Sequence, residues 1–213
     1  KIVHNAWKSA EPGVLFWDTI LRESVPDCYA DLGYRTVSTN PCGEIPLCPY
    51  DSCRLLAINL YSYVVNPFKP DAYFDFDLFK KHVALAQRIM DDIIDLELEK
   101  IERIMAKIDS DPENEDVKHT ESVLWQKIYK KSGQGRRTGV GITAEGDMLA
   151  ALGLRYGTEE ATEFAEKVHQ TVALSAYRSS VEMAKERGAF EVYDSEREKN
   201  NPFINRLREA DPE

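Results

Sequence analysis

Proline placement constrains this chain more than any other feature. Prolines stand at positions 12, 26, 41, 46, 49, 67 and 70, seven of the ten in the 213 residues. Each removes a backbone donor and fixes φ, so the first third cannot be one long helix. Short pieces are expected there instead: a helix tail at 1–7 stopped by Glu11-Pro12-Gly13, an apolar run at 14–17, and a strand or helical turn within 55–65. From 76 to 108 the pattern changes. Phe79, Val83, Ala86, Met90, Ile93, Leu96, Ile101, Ile104, Met105 and Ile108 recur at helical spacing, which predicts an amphipathic helix or helix pair. Asp75 or Asp77 is the expected cap, and Ser110-Asp111-Pro112 the stop, with Pro112 suited to the first turn of a new helix.

A second helix is expected at 117–129, broken by Ser132-Gly133-Gln134-Gly135, then a glycine-punctuated strand over 136–142. The spacing predicts further helices over 145–152 and from Thr158 to Gly188, and a polar end with a short helical piece. Few strands isolated by helices indicate α/β units. Trp7, Trp17 and Trp125 read as core anchors. Gly139 and Gly141 read as sites of close packing around a strand, and Arg136-Arg137 as solvated or paired. The two long amphipathic helices read as covers for a sheet, and either could also serve a homodimer.

The net charge of −10 argues against bulk binding to nucleic acid or an anionic membrane. No apolar run approaches the roughly 20 residues that span a bilayer. The four cysteines, Cys28, Cys42, Cys48 and Cys53, leave the rest of the chain bare. That is unlike a secreted disulfide framework and points to a reduced, cytoplasmic chain with a local thiol site. Both ends look cut, so a segment of a longer protein is expected.

The most informative stretch is Ser38-Thr39-Asn40-Pro41-Cys42-Gly43-Glu44-Ile45-Pro46-Leu47. In extended backbone, Asn40, Cys42 and Glu44 would share one face, about 7 Å apart at each step. An amide that donates and accepts, a thiol and a proton-accepting carboxylate suit radical or acid–base work on a polar substrate. No partner base for a cysteine protease stands nearby, and the cysteine spacings lack the short pairs of a zinc site. The four histidines are single, so no metal site is expected. The plain alternative is a buried structural cysteine in a proline-rich loop.

Asn40-Pro41-Cys42-Gly43-Glu44-Ile45-Pro46-Leu47, followed by Tyr50-Asp51-Ser52-Cys53-Arg54-Leu55 and Ile58-Asn59-Leu60, resembles the active-site loop of the ribonucleotide reductase catalytic chain. Glu11-Pro12-Gly13-Val14-Leu15-Phe16 resembles the segment entering that loop. Gly135-Arg136-Arg137-Thr138-Gly139-Val140-Gly141-Ile142 resembles a later barrel strand, and Leu154-Arg155-Tyr156-Gly157 its following turn. The resemblance implies that residues 1–213 are a helix-rich central portion of a ten-stranded α/β barrel domain, with the active-site loop at 38–53 and a parent chain extending beyond both ends.

By the same resemblance, Cys42 matches the cysteine that becomes a thiyl radical and takes the ribose 3′-hydrogen. Glu44 matches the carboxylate that takes the 3′-hydroxyl proton, and Asn40 the amide that bonds the ribose hydroxyls. Cys53 matches one of two thiols that reduce the 2′-carbon and become a disulfide; its partner is not in this chain. Ser38, Thr39, Asn40, Pro41, Cys42, Gly43 and Glu44 line the expected substrate site. Cys28 and Cys48 match no motif, and Cys48 reads as an ordinary loop cysteine. The implied reaction is reduction of ribonucleotides, taken as diphosphates, to deoxyribonucleotides for DNA synthesis and repair. Nucleotide effectors and a thioredoxin-type dithiol reductant are the implied partners. Pro41, Gly43 and the proline-rich run after Glu44 are most similar to the adenosylcobalamin-dependent class. The alternatives are the large subunit of a di-iron-dependent reductase, and a non-catalytic helical interaction module whose cysteines only pack.

Overall fold

The computed structural model describes residues 1–212. In chain order the elements are α1 (Ile2–Ser9), α2 (Trp17–Glu23), a 3₁₀ segment (Val25–Leu32), β1 (Ser38–Thr39), β2 (Pro46–Leu47), β3 (Leu56–Asn59), a 3₁₀ turn (Leu60–Tyr63), β4 (Val64–Val65), β5 (Tyr73–Phe74), α3 (Phe76–Ser110), α4 (Glu115–Gly135), β6 (Val140–Thr143), α5 (Glu145–Ala151), α6 (Glu159–Arg187), α7 (Ser195–Glu198) and α8 (Pro202–Ala210). The architecture is α/β and rich in helix. Two compact units divide it: residues 1–49 with 194–213, and residues 50–193. The expected loop at 38–53 straddles that division.

In the larger unit, β3 pairs with β6 in parallel, Leu56 opposite Val140 and Asn59 opposite Thr143. The crossover between them carries α3 and α4, as parallel strands require a long connection. β4 and β5 form a short antiparallel pair. The core gathers Ile58, Leu60, Tyr63, Phe74, Phe79, Val83, Met148 and Val168. Its aromatic members meet edge to face, with Tyr63 and Phe79 centroids 4.9 Å apart and Phe74 and Phe79 5.1 Å apart, the geometry ring quadrupoles favour.

Asp75 caps α3, its Oδ1 accepting from the Leu78 N–H at 2.9 Å. α3 is one continuous helix, not a pair. Its buried stripe runs Phe79, Val83, Ala86, Met90, Ile94, Ile101 and Ile108. The expected stripe had Ile93 and Leu96 in place of Ile94, yet these are 38% and 62% exposed. The four-residue ridge through Ala86 and Met90 continues onto Ile94, a choice the Ile93-Ile94 pair leaves open.

Other expectations are corrected. Asn114, not Pro112, starts α4: its Oδ1 accepts from the Asp116 N–H at 2.8 Å, and Pro112 lies before the helix. Ser132-Gly133-Gln134-Gly135 does not break α4, which continues to Gly135. Ser132 is buried and bonded to Arg54 at 2.8 Å. A Cβ on Gly133 would lie 3.7 Å from Leu98, so this stretch forms part of the α3–α4 contact. The helix stops at Arg136, in the left-handed region and held by Asp91 and Asp95 at 2.8 Å each. The tryptophans are not core anchors: Trp7 is 81% exposed, and Trp17 and Trp125 are half-buried. α6 has its expected bounds, with the Thr158 hydroxyl accepting from the Ala161 N–H and Gly188 closing the helix.

In the smaller unit, Tyr29 is buried in the 3₁₀ segment. Its hydroxyl donates to Glu198 Oε1 at 2.7 Å and accepts from the Asp194 N–H at 3.1 Å. Arg197 forks onto Asp31 at 2.6 and 2.9 Å. Asn201 caps α8, accepting from the Phe203 and Ile204 N–H groups. The Asp27 carboxylate holds the Thr36 backbone N–H and hydroxyl, which fixes the approach to β1.

Gly139 is where β6 comes against the segment before β3. A Cβ there would sit 2.3 Å from the Arg54 carbonyl oxygen. Gly139→Ala is expected to cost about 1–3 kcal/mol, because the opposing atom is backbone and cannot turn away. Gly141→Ala would bring a Cβ only to 3.8 Å from the Leu56 oxygen and should be close to neutral. Urea midpoints of the two variants test the contrast.

Candidate active site

Asn40, Cys42 and Glu44 share one hairpin. β1 and β2 pair antiparallel, Ser38 opposite Leu47 and Thr39 opposite Pro46. The residues between are not extended, so the one-face arrangement expected from alternation does not occur. They form a tight turn in which the Gly43 N–H donates to the Asn40 carbonyl at 3.0 Å. Asn, Pro and Gly at first, second and fourth positions are the preferences of such a turn. Gly43 has φ of +84°, and a Cβ on it would meet Leu15 at 3.1 Å, so both backbone and space favour glycine.

Asn40 locks the hairpin through its side chain. Its Oδ1 accepts from the Ile45 N–H at 2.9 Å, and its own N–H donates to the Ile45 carbonyl at 3.2 Å. The acceptor end of the amide is therefore used, and the Nδ2 donor end makes no bond to any described residue. Cys42 and Glu44 are exposed at the turn and likewise make none. The Ser38 and Thr39 hydroxyls turn back onto neighbouring backbone carbonyls at 3.2 and 3.0 Å. Of the eight expected site residues, the hairpin unites seven.

Cys53 belongs to the larger unit. It is exposed, in the irregular segment leading into β3. The residues around it are anchored inward. Asp51 pairs with the Arg137 guanidinium. The buried Arg54 donates from Nε to Glu97, from Nη1 to the Arg137 carbonyl at 2.9 Å, and from Nη2 to Ser132 Oγ at 2.8 Å. Arg136 and Arg137 are thus both paired. Asp51 and Arg54 stand in the motif around Cys53, but nothing in the local pattern gave their partners or flagged Glu97, since the bonds join residues 43 to 86 positions apart.

The remaining cysteines differ in environment. Cys48 is buried. Cys28 is half-buried, and burial, reinforced by the negative Glu198, pushes its thiol up to about 11. Among the described residues no group of three or more His, Cys, Asp or Glu side chains is placed to hold a metal ion. Nor is any helix among them long and apolar enough to cross a membrane.

A family model described as "Ribonucleotide reductase, barrel domain" matches residues 1–210. The chain belongs to the ribonucleotide reductase barrel-domain family. Similar curated members include the vitamin B12-dependent ribonucleoside-diphosphate reductase of Thermoplasma acidophilum, 36% identical over 93% of this chain and 22% of the relative. That of Mycobacterium tuberculosis is 31% identical over 90% of this chain and 23% of the relative. The vitamin B12-dependent ribonucleotide reductase of Streptomyces clavuligerus is 26% identical over 91% of this chain and 17% of the relative. The chain thus spans about a fifth of the length of these reductases, and the hairpin at 38–47 and Cys53 both lie within the residues that the family model matches.

Alkylation at pH 8 should separate the thiols of this barrel-domain segment. Exposed Cys42 and Cys53 are expected to label first. Cys48 should be spared by burial, and Cys28 because a thiol near 11 is thiolate to only about one part in a thousand. A raised thiol also makes stability present below the unfolded value of 9.0 and lost as pH rises through about 11. Peptide mapping by mass spectrometry reads the order, and early labelling of Cys28 would contradict its environment.

Proposed function

We propose that the protein carrying this chain reduces ribonucleotides, as diphosphates, to 2′-deoxyribonucleotides by a thiyl-radical mechanism. One observation carries the reading. In a member of this family, an exposed, unbonded thiol stands at a hairpin turn between a free amide donor at Asn40 and an unbonded carboxylate at Glu44.

The roles follow from what each group can do. The Cys42 sulfur, once oxidised to a thiyl, takes the hydrogen atom from C3′ of the ribose. Glu44 accepts the 3′-hydroxyl proton, which favours departure of the 2′-hydroxyl. That hydroxyl leaves as water, taking a proton from the thiol pair. Cys53 and a thiol outside this chain give the two electrons and become a disulfide. Cys42 then returns its hydrogen to C3′. The sugar exchanges C–OH for C–H, and two thiols become one disulfide. Asn40 orients the sugar through its free Nδ2. Ser38, Thr39, Pro41 and Gly43 shape the hairpin that presents these groups.

Adenosylcobalamin is the proposed radical source, on the strength of the relatives' names. The exposed Cys42 thiol fits a cofactor that oxidises sulfur from outside the hairpin, and Cys42 is the residue of this chain that would meet it. When bound, the cofactor supplies the one-electron oxidation of that thiol. Residues 1–213 form part of one catalytic barrel domain in this reading, with β3 and β6 as neighbours in a ten-stranded barrel. Nucleotide effectors, a thioredoxin-type reductant, a homodimer and a cytoplasmic location complete it.

The test is deoxynucleotide formation by the full-length protein with a ribonucleoside diphosphate, a dithiol and adenosylcobalamin. Product that vanishes when cobalamin is omitted supports the reading. Product that instead requires a second, metal-bearing subunit would move the protein to the di-iron class. Cys42→Ser should abolish product, and Glu44→Gln should lower it about 10²–10⁴-fold, as loss of a positioned base does. Undiminished turnover in Cys42→Ser would leave the cysteines as packing residues.

A further inference from the structure

We infer that Arg54 is a positioning residue for the Cys53 thiol, holding its backbone from behind through Glu97, Ser132 and the Arg137 carbonyl. The inference rests on the reading of Cys53 as one of the two reducing thiols.

Cys53 stands in a segment without regular secondary structure, between Tyr50 and β3. Such a segment has no ladder of its own and is ordinarily mobile. Here it is fastened by side chains instead. Two residues before the thiol, Asp51 has a side chain only 5% exposed and paired with Arg137. One residue after it, the Arg54 side chain is equally buried. Its three donors reach three separate pieces of chain: α3 at Glu97, α4 at Ser132, and the approach to β6 at Arg137. Arg137 closes the arrangement, since it gives its carbonyl to Arg54 and its guanidinium to Asp51. On the other side the Arg54 carbonyl lies against Gly139, with no room for a Cβ between. Inward side chains at 51 and 54 leave the exposed Cys53 thiol on a fixed base.

Stability alone does not account for an arginine here. Removing a guanidinium from water costs several kcal/mol, and buried ion pairs are often replaceable by apolar residues without loss. What a buried arginine adds is a planar fork with fixed directions. Fixed direction is what a redox thiol needs. A disulfide forms only within a narrow range of Cα separation and dihedral angle. Cys53 must reach that geometry with its partner in every turnover and be reduced again. Loosening its base lowers the effective concentration of one thiol before the other, while the hairpin groups that meet the sugar remain as they were.

The experiment uses the full-length reductase carrying Arg54→Lys or Glu97→Gln. The first keeps the charge and loses the fork; the second keeps the shape and loses the acceptor's charge. Arg88→Lys, at the exposed Arg88–Glu186 pair, is the control. For both test variants kcat should fall about tenfold with KM for the ribonucleotide unchanged, the scale of a misplaced reacting group. The equilibrium constant for the Cys53 disulfide against a glutathione buffer should fall by a similar factor, about 30 mV. The control should move neither. Wild-type values for the disulfide in both test variants would overturn the inference, as would a fall in kcat with the disulfide equilibrium unmoved. If Arg54→Lys fails to fold, Glu97→Gln decides alone. A wild-type enzyme that turns over without oxidising Cys53 would overturn the assignment of Cys53 itself, and this inference with it.

Discussion

The parallel pairing of β3 with β6 is the contact on which the larger unit depends. It joins two four-residue strands across a crossover that carries both α3 and α4. Closing so long a loop costs entropy, but the cost grows only slowly with length. The return comes from burial: Leu56 and Ile58 on one strand, Val140 and Ile142 on the other, Leu60 in the 3₁₀ turn that follows β3, and Phe79 and Val83 of α3 packed with them. The pairing in turn requires Gly139, where the strand approaches the Arg54 backbone. A single missing side chain thus connects the sheet to the segment that carries Cys53.

Local signals made the helices legible. The α3 start at Asp75 and the α6 bounds at Thr158 and Gly188 all stand where a capping residue or a glycine has a short-range reason to act. Long-range packing was less visible. Ser132-Gly133-Gln134-Gly135 has the composition of a stop, but Arg54, Leu98, Asp91 and Asp95 lie against this stretch and hold α4 through it. The phase of α3 near Ile93 and Ile94 was undetermined for the same reason: neighbours in space chose which isoleucine to bury.

The site divides along a similar line. Residue types and order singled out the proposed thiol, carboxylate and amide, Cys42, Glu44 and Asn40, since these lie within five positions of each other. Their arrangement was misread as extended because alternation ignores the turn preferences of Asn-Pro-Cys-Gly. Cys53, proposed as the second thiol, was singled out by its motif alone. The bonds beneath its segment were not legible, because Asp51, Arg54, Glu97 and Arg137 come together only through the tertiary fold.

The locked amide of Asn40 also gives the hairpin a polarity. With Oδ1 accepting from the Ile45 N–H, the Nδ2 end is the part of the amide left without a bond to any described residue. A sugar hydroxyl placed there can meet it only through an oxygen lone pair. The hydroxyl's own proton must then point elsewhere, and an unbonded carboxylate two residues past the thiol is a natural acceptor for it. An amide free to rotate could serve a hydroxyl in either sense and would leave the proton's direction undecided. Anchoring one end of a neutral side chain thus lets an uncharged group set the direction in which a proton leaves.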